Sequence, residues 1–374
     1  MKAPFSSNCV RLSGLEWGIV AAIVLAIFCF APIFWQRAEK FEPGPDYRLP
    51  YQLSNDYWLY KRYCRWACPQ NKTLVIGDSV VWGNHVSKRN TLTHYLNEIV
   101  GRAQPSPSEG RDKFANVGVD GMHPVALAGL LKYYGSQIAG KKVILHFNLL
   151  WLSSKKHDLQ ITKEFHFDHP KLVPQFIPSI PCYKVSYSER ISAVIGRFVP
   201  FFSWKSHLNR MHFKGMDLPG WTVEHPYNSP FETVTLEIPS SEKSNQNGHV
   251  PWHERGIVKS DLAWVELETS LQWRFFQSSV EILKARGNRV FVLVGPFNEH
   301  MLKPKSIDTY RKIKSKIEAW LKQNGVPCYM PPALASELYR DASHPLSEGY
   351  ALLAKYLFEN ESFRSSIIGE NDEQ

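Results

Sequence analysis

The stretch TLVIGDSVVWGNHV, residues 73–86, decides the fold. Its first four residues have strand character, and they run into Gly77, Asp78 and Ser79 just before a stretch able to start a helix. Small residues at such a junction are ordinary turn chemistry, so the stretch gains meaning from what repeats after it. A helical stretch at 91–100 and a polar loop at 101–113 lead to FANVGVDG, a second strand-like run ending in glycine. PVALAGLLKYYGSQI has helical spacing, with Pro124 at a tolerated first-turn position. KKVILHFNLLWL reads as a third strand. Later come a helix over 261–286, the strand NRVFVLVGP, a helix over 307–323, a short strand in VPCYMPP, and the amphipathic helix PLSEGYALLAKYLFE. Strands alternating with helices predict an α/β fold, a parallel sheet covered on both faces. In such sheets, sites form at the carboxyl ends of the strands.

Working outward, the chain divides by composition. Residues 17–35, WGIVAAIVLAIFCFAPIFW, carry no charge. At ~1.5 Å per residue they nearly cross a hydrocarbon core of ~30 Å, with Trp17 and Trp35 where interfacial aromatics sit. FWQRAEKFEP after them offers no small-residue cleavage site, which favours an uncleaved anchor over a signal peptide. Lys2 and Arg11 before the span nearly balance Arg37 and Lys40 after it. The preferred orientation leaves the short tail, 1–16, inside and the large C-terminal part on the extracytoplasmic side. Residues 36–71, rich in Pro, Tyr and charge, read as a stalk. Residues 72–374 form the main domain, with an insertion at about 155–260 where the periodicity breaks and Pro, His, Phe and Trp accumulate. An ordered insertion of that length suits a lid or binding wall as well as it suits a decorated surface.

The 374 residues, 44 % hydrophobic and 13 % aromatic, are enough for a well-buried core and exclude wholesale disorder. The net charge of +9 is spread, with no compact Lys/Arg run and no nucleic-acid motif, so a solvated basic surface is expected and no nucleic-acid partner. Of six cysteines, Cys64, Cys68, Cys182 and Cys328 follow the span, and in an oxidising compartment a Cys64–Cys68 link in CRWAC or another pairing among them could form. No second Cys/His pair at ligand spacing follows CRWAC, so no metal or cofactor is expected. HFDH (His166, Asp168, His169) lacks a helical ligand frame and reads as surface polar residues.

Four places carry residues suited to acyl chemistry. Ser79 at a strand end, opening a helix, would face the crevice beside unpaired backbone N–H groups able to stabilise an oxyanion. Gly121 could bring its N–H close to a substrate oxygen, and the Asn148 amide could donate to the same atom. A serine nucleophile needs a base, and the base a third group that fixes its tautomer. DASHP supplies Asp341 as orienter and His344 as base before the last helix; Asp120 and His123 share the D-x-x-H spacing but sit in the glycine-bearing loop. Asp78 and His123 are then expected as substrate contacts. The G-x-S-x-G elbow is absent, because Val81 stands where its second glycine belongs.

In this order, Gly77-Asp78-Ser79, Asn116 to Gly121, Asn148 and Asp341-x-x-His344, the chain resembles the SGNH hydrolases, also called GDSL esterases. The motifs span 73–358, and HPLSEGYALLAKYL is similar to that family's closing helix. The resemblance implies a flavodoxin-like three-layer α/β/α sandwich. It implies Ser79 as nucleophile, Gly121, Asn148 and the Ser79 N–H as oxyanion donors, and His344 and Asp341 as base and orienter. It departs in the third block, usually Gly-x-Asn-Asp, which here reads His146-Phe147-Asn148-Leu149. An anchored domain with a long insertion resembles the envelope branch, including DltD-like and alginate-acetylation proteins. That implies an esterase acting on O-acyl, in particular acetyl, esters of a cell-envelope glycan. The alternatives are an O-acyltransferase beside a membrane-bound O-acyltransferase and an inactive glycan-binding scaffold. Trp204, Trp221 and Trp252 in the insertion could stack on sugar rings or belong to the core.

Overall fold

The computed structural model describes residues 12–103, 113–238 and 250–369. Lys2, Cys9, Arg11, most of the 101–113 loop and the polar run 239–249 lie outside the described residues. In chain order the elements used below are α1 (Gly14–Ala38), α2 (Tyr57–Ala67), β1 (Thr73–Ile76), α3 (Ser79–Trp82), α4 (Leu92–Ala103), β2 (Phe114–Asn116), α5 (Pro124–Tyr133), β3 (Lys142–Phe147), α6 (Tyr187–Phe198), α7 (Pro200–His212), α8 (Leu218–Glu224), α9 (Pro230–Thr233), α10 (Leu271–Ala285), β4 (Arg289–Val294), α11 (Pro304–Gln323), β5 (Cys328–Tyr329) and α12 (Ser347–Glu359). They fall into two compact units: one of residues 1–41 and 195–238, the other of residues 42–194 and 239–374.

The larger unit is α/β. Its five strands pair in parallel in the order β2-β1-β3-β4-β5, so the order reverses at β1. Val75 sits opposite Asn116 on one side and Ile144 on the other. Buried on both faces, the strands read as near-continuous apolar runs, as parallel strands must. Successive side chains alternate between faces. Val75, Ile144, Phe291 and Leu293 pack with Leu92 and Leu96 of α4 and with Tyr350, Leu353 and Leu357 of α12. Phe147, on the opposite face, meets Trp273 and Phe276 of α10 at ring distances of 5.4 and 4.5 Å. Helix α10 begins at Leu271, ten residues later than the apolar spacing suggested. Its start is set by Ser270 and by Asp158, whose carboxylate accepts from the Ser270 hydroxyl and from Leu271 N (2.9 Å) and Gln272 N (3.0 Å).

Residues 42–71 are not a stalk. They belong to the α/β unit. Helix α2 buries Tyr57, Tyr60, Tyr63, Cys64 and Ala67, the i, i+3, i+4 stripe of a core-facing helix. Arg48 then grips the turn after α3, donating to the carbonyls of Trp82 (2.8 Å), Gly83 (2.6 Å) and Val86 (2.9 Å). Cys64 and Cys68 are both buried with free thiols, and burial pushes the Cys64 thiol far up.

The smaller unit is helical. Helix α1 is long and apolar enough to cross a membrane. It begins three residues before Trp17, because Ser13 and Glu16 form a capping box: Ser13 N donates to Glu16 Oε2 (2.6 Å), and Glu16 N donates to Ser13 Oγ (3.3 Å). The middle of the expected insertion, 195–238, joins this unit and carries α7, α8 and α9. Trp221 is buried there between Phe213 and His225, at ring distances of 5.2 and 4.7 Å, which makes it a core residue. Trp252 in the α/β unit is likewise core, its Nε1 donating to Ser336.

Candidate active site

β1 ends at Ile76, and Gly77 follows where little else fits. A Cβ there would lie 2.6 Å from Val81 Cγ2 and 2.8 Å from the His146 Cβ. Asp78 caps α3, its Oδ1 accepting from Val80 N at 3.0 Å, and Ser79 opens that helix. Tyr350 of α12 donates to the Val80 carbonyl at 2.8 Å and ties the turn to the last helix. At the far end of the chain, Asn298 fixes the loop after β5: its N donates to Ala342 O (2.8 Å) and its Nδ2 to Asp341 O (3.2 Å). Arg340 N donates to His344 O at 2.9 Å.

These two ends meet. Ser79 Oγ lies 2.8 Å from His344 Nε2, and His344 Nδ1 lies 2.8 and 2.9 Å from the two Asp341 oxygens. A carboxylate only accepts, so Nδ1 carries the hydrogen, and in the neutral ring Nε2 is left to accept from the Ser79 hydroxyl. Asp341 Oδ1 also accepts from the backbone N of Ser343 and His344, both at 3.0 Å. Burial works against the charge on Asp341, but the His344 imidazole and these N–H groups outweigh it and hold the carboxyl well below the usual range. Burial likewise opposes a charged His344, yet Asp341, with Asp78 and Asp120 adding to it, raises the imidazole above its ordinary value.

Asn148 Nδ2 donates to Asp78 Oδ2 at 2.8 Å, and its Oδ1 accepts from Leu150 N at 3.0 Å. One of its two amide hydrogens is thereby committed, and the other remains for a ligand oxygen. Gly121 adopts φ +70°, and a Cβ would fall 2.7 Å from Asp168 Oδ2, so a side chain is excluded there twice over. Its neighbour Asp120 accepts from Asn84 Nδ2 at 3.1 Å, and Asn84 N in turn donates to Ser79 O at 2.9 Å. Burial, with the charges of Asp168 and Asp78, pushes Asp120 up to about 6 against the pull of His344 and Arg48.

Two expectations need correction. Asp78 is buried with both oxygens occupied, Oδ2 also accepting from Trp151 Nε1 at 3.0 Å. It positions Asn148 and has no face toward a substrate. Burial would raise its pKa, but His146, Asn148 and Val80 N outweigh that and lower it. His123 is buried as well. Its Nδ1 accepts from Ala126 N at the start of α5, and its Nε2 donates to the Asp168 carbonyl at 3.0 Å. Burial pushes it down to about 3, so it stays neutral as a helix cap with no nitrogen left for substrate. In HFDH, His169 is spent on Tyr57 (3.1 Å) and the Asp120 carbonyl (2.7 Å).

Three residues that sequence reasoning did not place in the site surround it. The His85 ring stands edge-on to His344 at 5.3 Å, with Nε2 4.0 Å from Asp341 Oδ2. Burial and the His344 charge push it down to about 4, so it is a neutral wall. Trp151 and His146 flank Asp78, and His146 spans from Asp78 Oδ1 (3.3 Å) to the Gly295 carbonyl (3.0 Å). Their signal was position: both lie within three residues of Asn148 at the end of β3. No protein-family model and no curated protein matches the chain.

Proposed function

We propose that the protein is a serine esterase-type hydrolase of SGNH character, tethered to a membrane by α1 with its α/β unit on the extracytoplasmic side. The observation that carries this reading is the relay Ser79–His344–Asp341, at 2.8 and 2.8 Å between elements 265 residues apart. The five-stranded parallel sheet, the α/β unit's helices on both faces and the strand reversal at β1 support the three-layer sandwich of that family.

In the reaction, Ser79 Oγ attacks the ester carbonyl carbon as His344 Nε2 takes its proton. Asp341 stabilises the imidazolium that forms. The oxygen that gains the negative charge is met by the free Asn148 N–H, with the N–H groups of Ser79 and Gly121 as the remaining donors. Collapse breaks the C–O bond to the leaving alcohol, which receives the proton from His344. Water, deprotonated by His344, then attacks the acyl-Ser79 and releases the acid. A sugar hydroxyl in place of that water would give acyl transfer through the same intermediate. The substrate class proposed is an O-acyl, in particular O-acetyl, ester of a cell-envelope glycan, and the chemistry needs no metal or cofactor.

The test is labelling of the full-length protein with a fluorophosphonate probe, followed by turnover of short acyl esters with and without a glycan acceptor. Wild type should label on Ser79, and Ser79→Ala should not. Equal labelling of the two, or none of wild type, favours a non-catalytic scaffold.

A further inference from the structure

In the helical unit, α7 packs against α1 through a row of aromatic and polar contacts. Phe201 stacks on Phe28 at a ring distance of 3.9 Å, and Phe202 meets the same ring edge-on at 5.8 Å. Three residues on, Trp204 lies 6.2 Å from Trp35. Three further on, His207 Nε2 meets Glu39 Oε1 at 2.9 Å, in a pair with no solvent exposure that Trp35 Nε1 also joins at 3.0 Å. His212 returns to Trp35 at a ring distance of 6.4 Å, and the Pro200 end of α7, through Phe201 on Phe28, reaches furthest toward the start of α1. Phe28 lies seven residues before Trp35, about 10 Å along a helix at ~1.5 Å per residue. If Trp35 marks the interface, the start of α7 lies at a depth about a third of the way into a ~30 Å hydrocarbon core.

The residues at that end have surfaces to match. At the close of α6 and the start of α7 the chain reads IGRFVPFFSW, residues 195–204. Ile195 is 43 % exposed, Phe198 70 % and Phe202 39 %. Apolar side chains on the outside of a helix turn are costly in water and favourable among acyl chains. The backbone suits such a site too, because the bend at Val199 and Pro200 is short, with Val199 N donating to Ile195 O (3.0 Å) and Phe202 N to Val199 O (3.1 Å).

We propose that residues 195–204 form a re-entrant wedge that enters the bilayer beside α1 from the side on which α1 ends and seats its apolar tip among phospholipid acyl chains. The proposal rests on α1 crossing the membrane. It makes the segment a second membrane-embedded element, held on α1 by the buried Glu39–His207 pair and the stacked rings.

The test uses full-length protein in phospholipid nanodiscs, with a photoreactive benzoyl-phenylalanine replacing one residue at a time: Phe28, Ile195, Phe198, or Lys312, which is exposed on α11 of the α/β unit. Lipid adducts are read by mass spectrometry. Adducts at 28, 195 and 198, each on the order of tenfold above the yield at 312, are the expected result, since only groups within the ~30 Å core meet acyl chains. Adducts at 28 but only the 312 background at 195 and 198, or protein adducts there instead, would overturn the wedge and leave the anchor standing. No excess at 28 would remove the anchor reading and the wedge with it.

Discussion

Replacing Asp341 by Asn tests the relay most sharply, because the change keeps shape and removes one function. The Asp341 carboxylate accepts from three N–H groups: two of its own loop's backbone and the His344 Nδ1–H, which lies between both oxygens. In Asp341→Asn the amide oxygen can keep the backbone bonds. The amide NH₂ then faces Nδ1 and favours the ring with hydrogen on Nε2, which cannot accept from Ser79. In the serine-protease triad the corresponding change lowers turnover by about 10⁴-fold. The Asp341 side chain is 29 % exposed, so water can recover part of the loss. We expect kcat to fall on the order of 10³- to 10⁴-fold, about 4–5.4 kcal/mol of transition-state stabilisation at ~1.36 kcal/mol per decade.

A pH profile adds an independent readout. In the proposed mechanism the base is neutral His344, whose pKa is raised by Asp341 against its burial. Wild-type activity on p-nitrophenyl acetate should therefore rise with pH through a limb above ~6.5, the ordinary histidine value. In Asp341→Asn burial acts with less opposition, so the limb of the residual activity should move to lower pH. Stability follows the same sign. The raised His344 pKa stabilises the fold below ~6.5, and that contribution is lost as pH rises through the folded value. The lowered Asp341 pKa stabilises the fold above ~3.8, and that contribution is lost as pH falls through its folded value. Near-wild-type turnover in Asp341→Asn, or a limb that moves up, would refute the relay.

The remaining predictions are local. His344→Ala should cost turnover on the order of 10³-fold or more, whereas His123→Ala should lower the unfolding free energy, read by denaturant titration, by about 1–3 kcal/mol through a lost cap and an orphaned carbonyl while leaving kcat of the folded protein near wild type. The opposite pattern would exchange their roles. Gly77→Ala forces a methyl against Val81 and the His146 Cβ, neither of which is a flexible chain end, so thermal unfolding should report a loss of about 1–3 kcal/mol. Asp120→Asn removes one of the charges holding the proton on His344. Its activity limb should shift to lower pH by less than in Asp341→Asn, and an equal shift would deny Asp341 its leading part. Trp151→Phe removes one of the two donors to Asp78 Oδ2 and should reduce kcat more than KM, through a looser Asn148.

The meeting of Ser79, His344 and Asp341 was legible because the chemistry proposed for them restricts residue types, and a parallel sheet brings strand ends together whatever lies between them. Ser79 and His344 needed only a strand end and a helix start each. His123 misled because its partners, Ala126 N and the Asp168 carbonyl, are backbone atoms, and backbone partners leave no mark in a sequence. Asp78 misled for the opposite reason: an acid beside a nucleophile looks reactive until burial shows both its oxygens taken. The supposed stalk was legible in principle. Tyr57, Tyr60, Cys64 and Ala67 keep helical spacing, but Tyr and Cys carry weaker hydrophobic signals than Leu or Val. The division of the insertion between two units was not legible, since the pairing of α7 with α1 joins apolar stretches about 170 residues apart and apolar surfaces carry little address.

The proposed base and its orienter come on one short loop whose backbone already holds both of them, and that loop lies in the connection from β5 to α12. A chain emerging N-terminus first thus exposes its serine long before it has anything to deprotonate it. Until α12 arrives, the turn bearing Ser79 also lacks Tyr350 and the cover of Leu353 and Leu357. On the proposed reading, Ser79 gains its base only once the segment carrying Asp341 and His344 has been made, so a chain cut short before residue 341 carries the serine without its imidazole.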